Sequence, residues 1–223
     1  MTLGPDYFDA MYAAAPDPWS LRTRWYEARK YAISIAMLPG QRYRDAFEPG
    51  CSVGVLTGML APRCDRLLSC DMAPAAVKAA SEHTARFPNV TVERRAIPGD
   101  WPPGRFDLIV LSEFLYYFGG ADLDRVLDLA FAALRPAGTL LAVHWRHPVA
   151  EYPRSGALVT SPSDSSRARV RPPSPTEPTT AVTRSVTPAW AQIRRAIAAL
   201  ASLSSIEYSR ASSGVTRAAR NAL

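Results

Sequence analysis

The sequence predicts an α/β domain with a mostly parallel central sheet and helices on both faces. Three observations predict it. Tyr43 to Met72, YRDAFEPGCSVGVLTGMLAPRCDRLLSCDM, reads as strand, small-residue turn, helix and second strand, ending on the acid Asp71. Phe106 to Leu111, FDLIVL, is a continuous apolar run, the pattern of a central strand covered on both faces. Asp122 to Leu134 is a strongly amphipathic helix that leads into another strand at Thr139 to Trp145.

Within the first stretch, a short run ends apolar at Asp45-Ala46-Phe47. The turn Glu48-Pro49-Gly50-Cys51-Ser52-Val53-Gly54 follows, then a helix over Val55 to Ala61 and a strand over Arg66 to Cys70. Glycines at Gly50 and Gly54 let the backbone pass close to a ligand, where a Cβ would collide with it. The Asp71 carboxylate is placed to accept hydrogen bonds from a ribose diol. A dinucleotide fingerprint would read G-x-G-x-x-G; this turn reads E-x-G-x-S-x-G, and no P-loop pattern is present. The turn resembles the first motif of class I S-adenosylmethionine-dependent methyltransferases, with Ser52 where the middle glycine usually stands. The alternative is an ordinary strand-to-helix turn.

A length of 223 residues suits one domain with an appendage. No stretch approaches the ~20 apolar residues of a membrane span. The chain does not open on a basic segment followed by an apolar one, so no signal peptide is expected. Cys51, Cys64 and Cys70 are an odd number at unpatterned spacing, which suits a reducing cytoplasm. The net charge of +6 is unevenly spread: residues 1–153 hold 16 Lys+Arg and 17 Asp+Glu, residues 154–223 hold 10 Arg and 3 Asp+Glu. The basic character belongs to the tail, so nucleic-acid binding by the main domain loses its electrostatic basis.

In chain order, Tyr7 to Ala14 is a short amphipathic piece. Asp17-Pro18 reads as a helix start, and the helix is expected from about Trp19 to Leu38, stopped by Pro39-Gly40. Tyr26, Ile33 and Met37 share the face expected to pack on the domain; Arg22, Trp25 and Arg29 share another. This helix is expected to lid the site. Trp19 and Tyr26 offer aromatic faces to a cation, and Arg29 a partner for a carboxylate. The alternative is plain packing. After Asp71 and Met72, Ala73 to Phe87 is an alanine-rich helix, Asn89 to Ala96 a third strand, and Ile97 to Gly104 a loop holding Trp101. The apolar run then ends on Ser112-Glu113, followed by Phe114-Leu115-Tyr116-Tyr117-Phe118. Ligands of open α/β sheets sit outside the carboxyl ends of the strands, which puts Ser112, Glu113, Tyr116 and Tyr117 near a reacting group. For the tyrosines the alternative is helix-face packing. The later strand ends in His144-Trp145-Arg146-His147-Pro148. Two histidines three apart, without further ligands at a recognisable spacing, do not define a metal site. His144 or His147 is expected to border a substrate pocket, or else to bond to backbone.

YFDAMY, DPWSLRTRWYEARKY, FEPGCSVGVLTGML, RFDLIVLSEFLYYF and AVHWRHPVAEYP together resemble the nodulation-protein-S-like methyltransferases, from about Tyr7 to Pro153. The resemblance implies a Rossmann-like class I methyltransferase fold and S-adenosylmethionine as methyl donor. Residues 1–40 would be an N-terminal helical lid, residues 41–153 the cofactor-binding core, and residues 154–223 a tail. The expected cofactor-binding set is Trp19, Arg29, Glu48, Gly50, Gly54, Asp71, Met72, Ile97 and Ser112. The expected catalytic set is Glu113, His144 and Tyr117, with Glu113 or His144 as the base an amine acceptor needs. Namesake members methylate the free amine ending a deacetylated chito-oligosaccharide, so the implied acceptor is a small molecule or an aminosugar oligosaccharide.

The match ends after Pro153. The family implies a further helix and a two-strand hairpin completing a seven-stranded sheet. Residues 154–223 instead hold 13 Ser, 7 Thr, 6 Pro and 10 Arg, with no Lys, Phe, Met or Cys. Such a composition does not bury enough apolar surface to order itself; only Trp190 to Leu203 is helically patterned. The hairpin is therefore expected to be missing or replaced. The tail reads either as the product of a reading-frame shift or as a disordered basic segment with a partner of its own. Three other functional readings stand beside the enzyme: a non-catalytic S-adenosylmethionine-binding module, a nicotinamide oxidoreductase (disfavoured by the glycine spacing), and a nucleic-acid binder acting through the tail.

Overall fold

Among the described residues, five parallel strands carry the fold, and a sixth covers one edge. The computed structural model describes residues 1–145, 147, 149–154 and 180–185. Helices α1 (Pro5–Ala14) and α2 (Trp25–Ala36) precede β1 (Tyr43–Pro49). Then come α3 (Val55–Leu60), β2 (Cys64–Asp71), α4 (Pro74–Thr84), β3 (Val90–Arg94), β4 (Phe106–Ser112), α5 (Gly120–Ala133), β5 (Leu134–His144) and β6 (Thr180–Ser185). The sheet order is β3-β2-β1-β4-β5-β6. Pairing is parallel from β3 through β5 and antiparallel between β5 and β6. Strand order reverses between β1 and β4, which opens a crevice at their carboxyl ends. This is the Rossmann-like arrangement expected from the sequence.

The apolar run of β4 explains its central place. Leu108, Ile109, Val110 and Leu111 are all fully buried, and the two-residue period sends them to opposite faces. Ile109 and Leu111 join Phe47 against Leu123, Val126 and Ala130 of α5. Leu108 and Val110 join Ala46, Leu67 and Leu141 against Leu56 and Leu60 of α3 and Tyr31 of α2. Trp101 sits edge-on to Phe47, ring centroids 5.1 Å apart, so it packs on the α5 side of the sheet. At the end of β1 remote from the crevice, the Asp107 carboxylate accepts the Arg44 and Asp45 amides, each at 2.8 Å. Asp45 itself pairs with Arg66 and with Arg135. These charges fix the register of β1 against β4 away from the site.

The N-terminal helix departs from expectation. The Asp17 carboxylate accepts the Leu21 and Arg22 amides, each at 2.9 Å, and Ser20 has φ 56°. Residues 17–24 are thus a turn, and the helix begins at Trp25. Its inward face is Glu27, Lys30, Tyr31 and Ser34; Ile33 is exposed and Trp25 is 78% exposed. The expected face of Tyr26, Ile33 and Met37 is displaced because the helix lies over the crevice, where polar side chains meet the site.

The expectation for the tail also changes in one place. Thr180–Ser185 pairs with β5, Thr139 opposite Ser185 and His144 opposite Thr180. Thr180, Val182 and Thr183 are β-branched, which suits a strand. The helical patterning of Trp190 to Leu203 and the remaining expectations for the tail fall outside the described residues.

Gly54 precedes α3 with φ 79°. A Cβ there would lie 2.8 Å from the Ala80 Cα of α4. The glycine therefore serves close helix packing; the ligand approach expected of it is not where it points. Gly54→Ala is expected to lower unfolding free energy by about 1–3 kcal/mol through strain and displacement of α4. Urea denaturation checks this, with the midpoint falling at unchanged slope.

Candidate active site

At the carboxyl ends of β1, β2 and β4 lies a cavity of about 500 Å³. That is within the roughly 300–1,000 Å³ common for small-molecule and cofactor sites. The strand ends and the turn after β1 form its floor; α1, the Asp17 turn and α2 form its roof.

The floor begins with the turn after β1. Gly50 has φ 72°, and a Cβ on it would lie 2.6 Å from the Phe114 ring. Ser52 also takes a left-handed conformation, φ 49°, which explains why a glycine is usual there. Its N–H donates to Asp71 Oδ2 at 3.0 Å, and the Ala73 N–H donates to Oδ1 at 3.0 Å. The Ser52 hydroxyl shares a 2.6 Å hydrogen bond with Tyr12 of α1. Glu48 is buried and accepts the Thr57 and Ser69 hydroxyls at 2.7 and 2.9 Å. Burial pushes its carboxyl up to about 7, against the opposing pull of those hydroxyls.

On the far wall, Glu113 follows β4 with φ 52°. Its Oε1 lies 3.2 Å from Lys30 Nζ. Its Oε2 accepts the Tyr116 hydroxyl at 2.7 Å and the Trp145 N–H at 3.0 Å. Lys30 also pairs with Glu27 at 2.6 Å. Burial alone would pull the Lys30 ammonium down, but Glu113 and Glu27 outweigh it and hold it above its ordinary value. Beside this network, Tyr116 stacks on Tyr152 at 4.9 Å and Tyr117 meets Phe8 edge-on at 5.0 Å. The N-terminal segment is fastened over the same region. The Leu3 N–H donates to Tyr117 O at 3.0 Å, the Gly119 N–H donates to Thr2 Oγ1 at 2.9 Å, and the Thr2 hydroxyl bonds Asp122.

Of the expected residues, Trp19, Glu48, Gly50, Asp71, Met72, Ile97, Ser112, Glu113 and Tyr117 line the cavity; Arg29, Gly54 and His144 do not. Arg29 is out of phase because α2 turns Glu27, Lys30 and Tyr31 inward, and Arg24 stands at the rim. His144 shares the strand face of Leu140 and Ala142, which points it to the α5 side. It is fully buried, and its Nε2 accepts the Leu115 N–H at 3.0 Å. Burial pulls the ring down to about 4. The histidine expected to border the pocket instead fixes the loop after β4. The Glu27–Lys30 pair and Arg24 escaped the sequence reading. On a half-exposed helix they look like solvated charges, and only the i,i+3 spacing of Glu27 and Lys30 hinted at a pair.

The sheet order and a cavity at its switch point define a Rossmann-like fold of the class I methyltransferase type. A profile of the family Nodulation protein S (NodS) matches residues 10–151, and the chain belongs to that family. It is 36% identical over 132 residues to Nodulation protein S of Bradyrhizobium diazoefficiens, covering 58% of this chain and 59% of the relative. The chain thus spans about three fifths of the length of that curated relative. Among solved structures, a candidate methyltransferase from Pseudomonas syringae is 48% identical with a TM-score of 0.54, covering 61% of this chain and 82% of its own. The N-methyltransferase NodS of Bradyrhizobium japonicum WM9, solved with S-adenosyl-L-homocysteine, is 28% identical with a TM-score of 0.60, covering 64% and 73%.

The buried His144 gives a pH signature. Unfolded, it takes a proton near 6.5; folded, only near 4. Its contribution, up to about 3 kcal/mol, is complete above pH ~6.5 and is lost as pH falls toward 4. Glu48 works in the opposite sense, since its folded carboxyl is raised. His144→Gln keeps an acceptor for the Leu115 amide and isolates the histidine. The stability difference between wild type and this variant is expected to shrink from pH 7 to pH 4.5, as read by denaturation at each pH.

Proposed function

We propose that the chain is an S-adenosylmethionine-dependent methyltransferase that acts on the amine nitrogen of a small-molecule acceptor. The observation that carries this reading is the convergence, in one cavity, of the Gly50 turn, the Asp71 carboxylate and the Glu113 network. The cavity suits the cofactor chemically. Tyr12, Trp19, Tyr26 and Tyr31 offer aromatic faces to a sulfonium.

Asp71 would hold the ribose diol, since a carboxylate has about four acceptor sites and the Ser52 and Ala73 amides take two. Met72 and Ile97 would flank the adenine, and Ser112 the reacting end. Trp19, Glu48 and Arg24 would meet the amino-acid end, with Arg24 in the place first expected of Arg29. When bound, the cofactor supplies an activated methyl group for in-line displacement. The chain's part is to align the nucleophile and exclude water. Residues 1–40 serve as the lid: Leu3, Phe8, Tyr12 and the inner face of α2 all line the cavity. Glu113 receives an N–H of the acceptor amine, and Tyr117 walls the acceptor side.

The finer proposal is an aminosugar or oligosaccharide acceptor, as the family resemblance implies, and a cytoplasmic location. The three cysteines are free and buried, which suits a reducing compartment. No helix among the described residues is long and apolar enough to cross a membrane.

Calorimetry with S-adenosylhomocysteine tests the reading, with affinity on the order of micromolar expected for the purified chain. Methyl-labelled S-adenosylmethionine should then transfer label to a chito-oligosaccharide with a free terminal amine, and not to its fully acetylated form. A cooperatively folded chain that binds no S-adenosylhomocysteine would overturn the proposal.

A further inference from the structure

Lys30 is the unexpected member of the cavity wall. Its side chain is 5% exposed and lies between two carboxylates, Glu27 at 2.6 Å and Glu113 at 3.2 Å. The rings of Tyr31 and Tyr26 flank the ammonium at 5.1 and 5.7 Å. Buried ion pairs of this kind add little net stability, because desolvation offsets their attraction. One ammonium thus faces two carboxylates in this wall.

The acceptor sites on Glu113 can be counted. A carboxylate has about four lone-pair sites. Among the described residues, Lys30, Tyr116 and the Trp145 amide occupy three of them. The backbone behind is fixed as well, since the Glu113 N–H donates to Val143 O at 2.7 Å. All three charged members line the cavity, and Glu113 is the most open of them: its side chain is 19% exposed, against 9% for Glu27 and 5% for Lys30.

We propose that Lys30 is a positioning residue for the acceptor amine. Anchored by Glu27, it locks Glu113 so that a lone pair of that carboxylate left open by the described residues receives an N–H of the acceptor. The inference rests on the amine-methyltransferase reading above and deepens it. The acceptor class it selects is an amine still bearing hydrogen. A protonated amine complements the Glu113 carboxylate, and an acetylated nitrogen, uncharged and bulkier, is a poorer match.

The test uses protein saturated with S-adenosylhomocysteine, glucosamine as the amine probe and N-acetylglucosamine as control, all by calorimetry. Wild type is expected to bind glucosamine at least tenfold more tightly than the control. Lys30→Met and Glu113→Gln should each weaken glucosamine about tenfold, as expected for lost charge-assisted hydrogen bonds, and leave S-adenosylhomocysteine affinity within about threefold. The double variant should be no weaker than Glu113→Gln alone, because residues acting as one unit are not additive. Unchanged glucosamine binding in Lys30→Met, multiplying losses in the double variant, or no preference over the control in wild type would each overturn the proposal. If Lys30→Met does not melt cooperatively, Glu27→Gln decides: a loss of about threefold supports the clamp and no loss sinks it. Failure of wild type to bind S-adenosylhomocysteine would instead sink the methyltransferase reading itself.

Discussion

The Asp71 carboxylate is shared between two backbone amides, that of Ser52 in the turn after β1 and that of Ala73 ahead of α4. Both segments depend on it. The turn carries left-handed conformations at Gly50, Ser52 and Gly54, which cost energy wherever a side chain is present and persist only if the surroundings fix them. Burial raises the Asp71 carboxyl above its ordinary value, and its backbone amide partners pull the other way. The clasp, with the Gly50 and Cys51 amides on Cys70 O, ties the turn to the end of β2, where it lines the cavity floor. Ser52 then extends the clasp to the roof through Tyr12.

Two further constraints follow from that floor. Phe114, in the loop after β4, lies so close to Gly50 that a side chain at that glycine would collide with its ring. The same loop is held from behind by His144 through the Leu115 amide. The site is thus assembled from short segments, each fixed to the sheet by a buried polar group. The sheet itself is an apolar sandwich between α5 on one face and α2 and α3 on the other. Rigid strands and pinned loops hold Glu113 and Asp71 in one cavity, as alignment of a nucleophile requires.

Much of this was legible in the sequence. The apolar run of β4 and the strand-turn-helix-strand-acid order specify the layers and the crevice, because both depend on periodicity and on short-range backbone geometry. Three features were not legible for physical reasons. Asp17-Pro18 suits a helix cap and a turn equally, and the Ser20 conformation that chooses the turn has no sequence signature. His144 ends a strand at the ligand edge, but its side depends on the phase of Leu140 and Ala142, which sends it into the core. Lys30 and Glu27 are buried by tertiary placement of α2 over the crevice, and no local pattern distinguishes them from solvated charges. Composition misled in one stretch, where Thr180–Ser185 forms an edge strand on β5 inside a Ser, Thr, Pro and Arg-rich tail.

The most direct measurement is a crystal structure of the chain with S-adenosylhomocysteine. The expected result is the ribose on Asp71 and the sulfur facing Glu113, with the clasp to Ser52 and Ala73 intact. A ligand seated elsewhere, or a turn that releases Asp71 to bind it, would contradict the claim that this clasp builds the site.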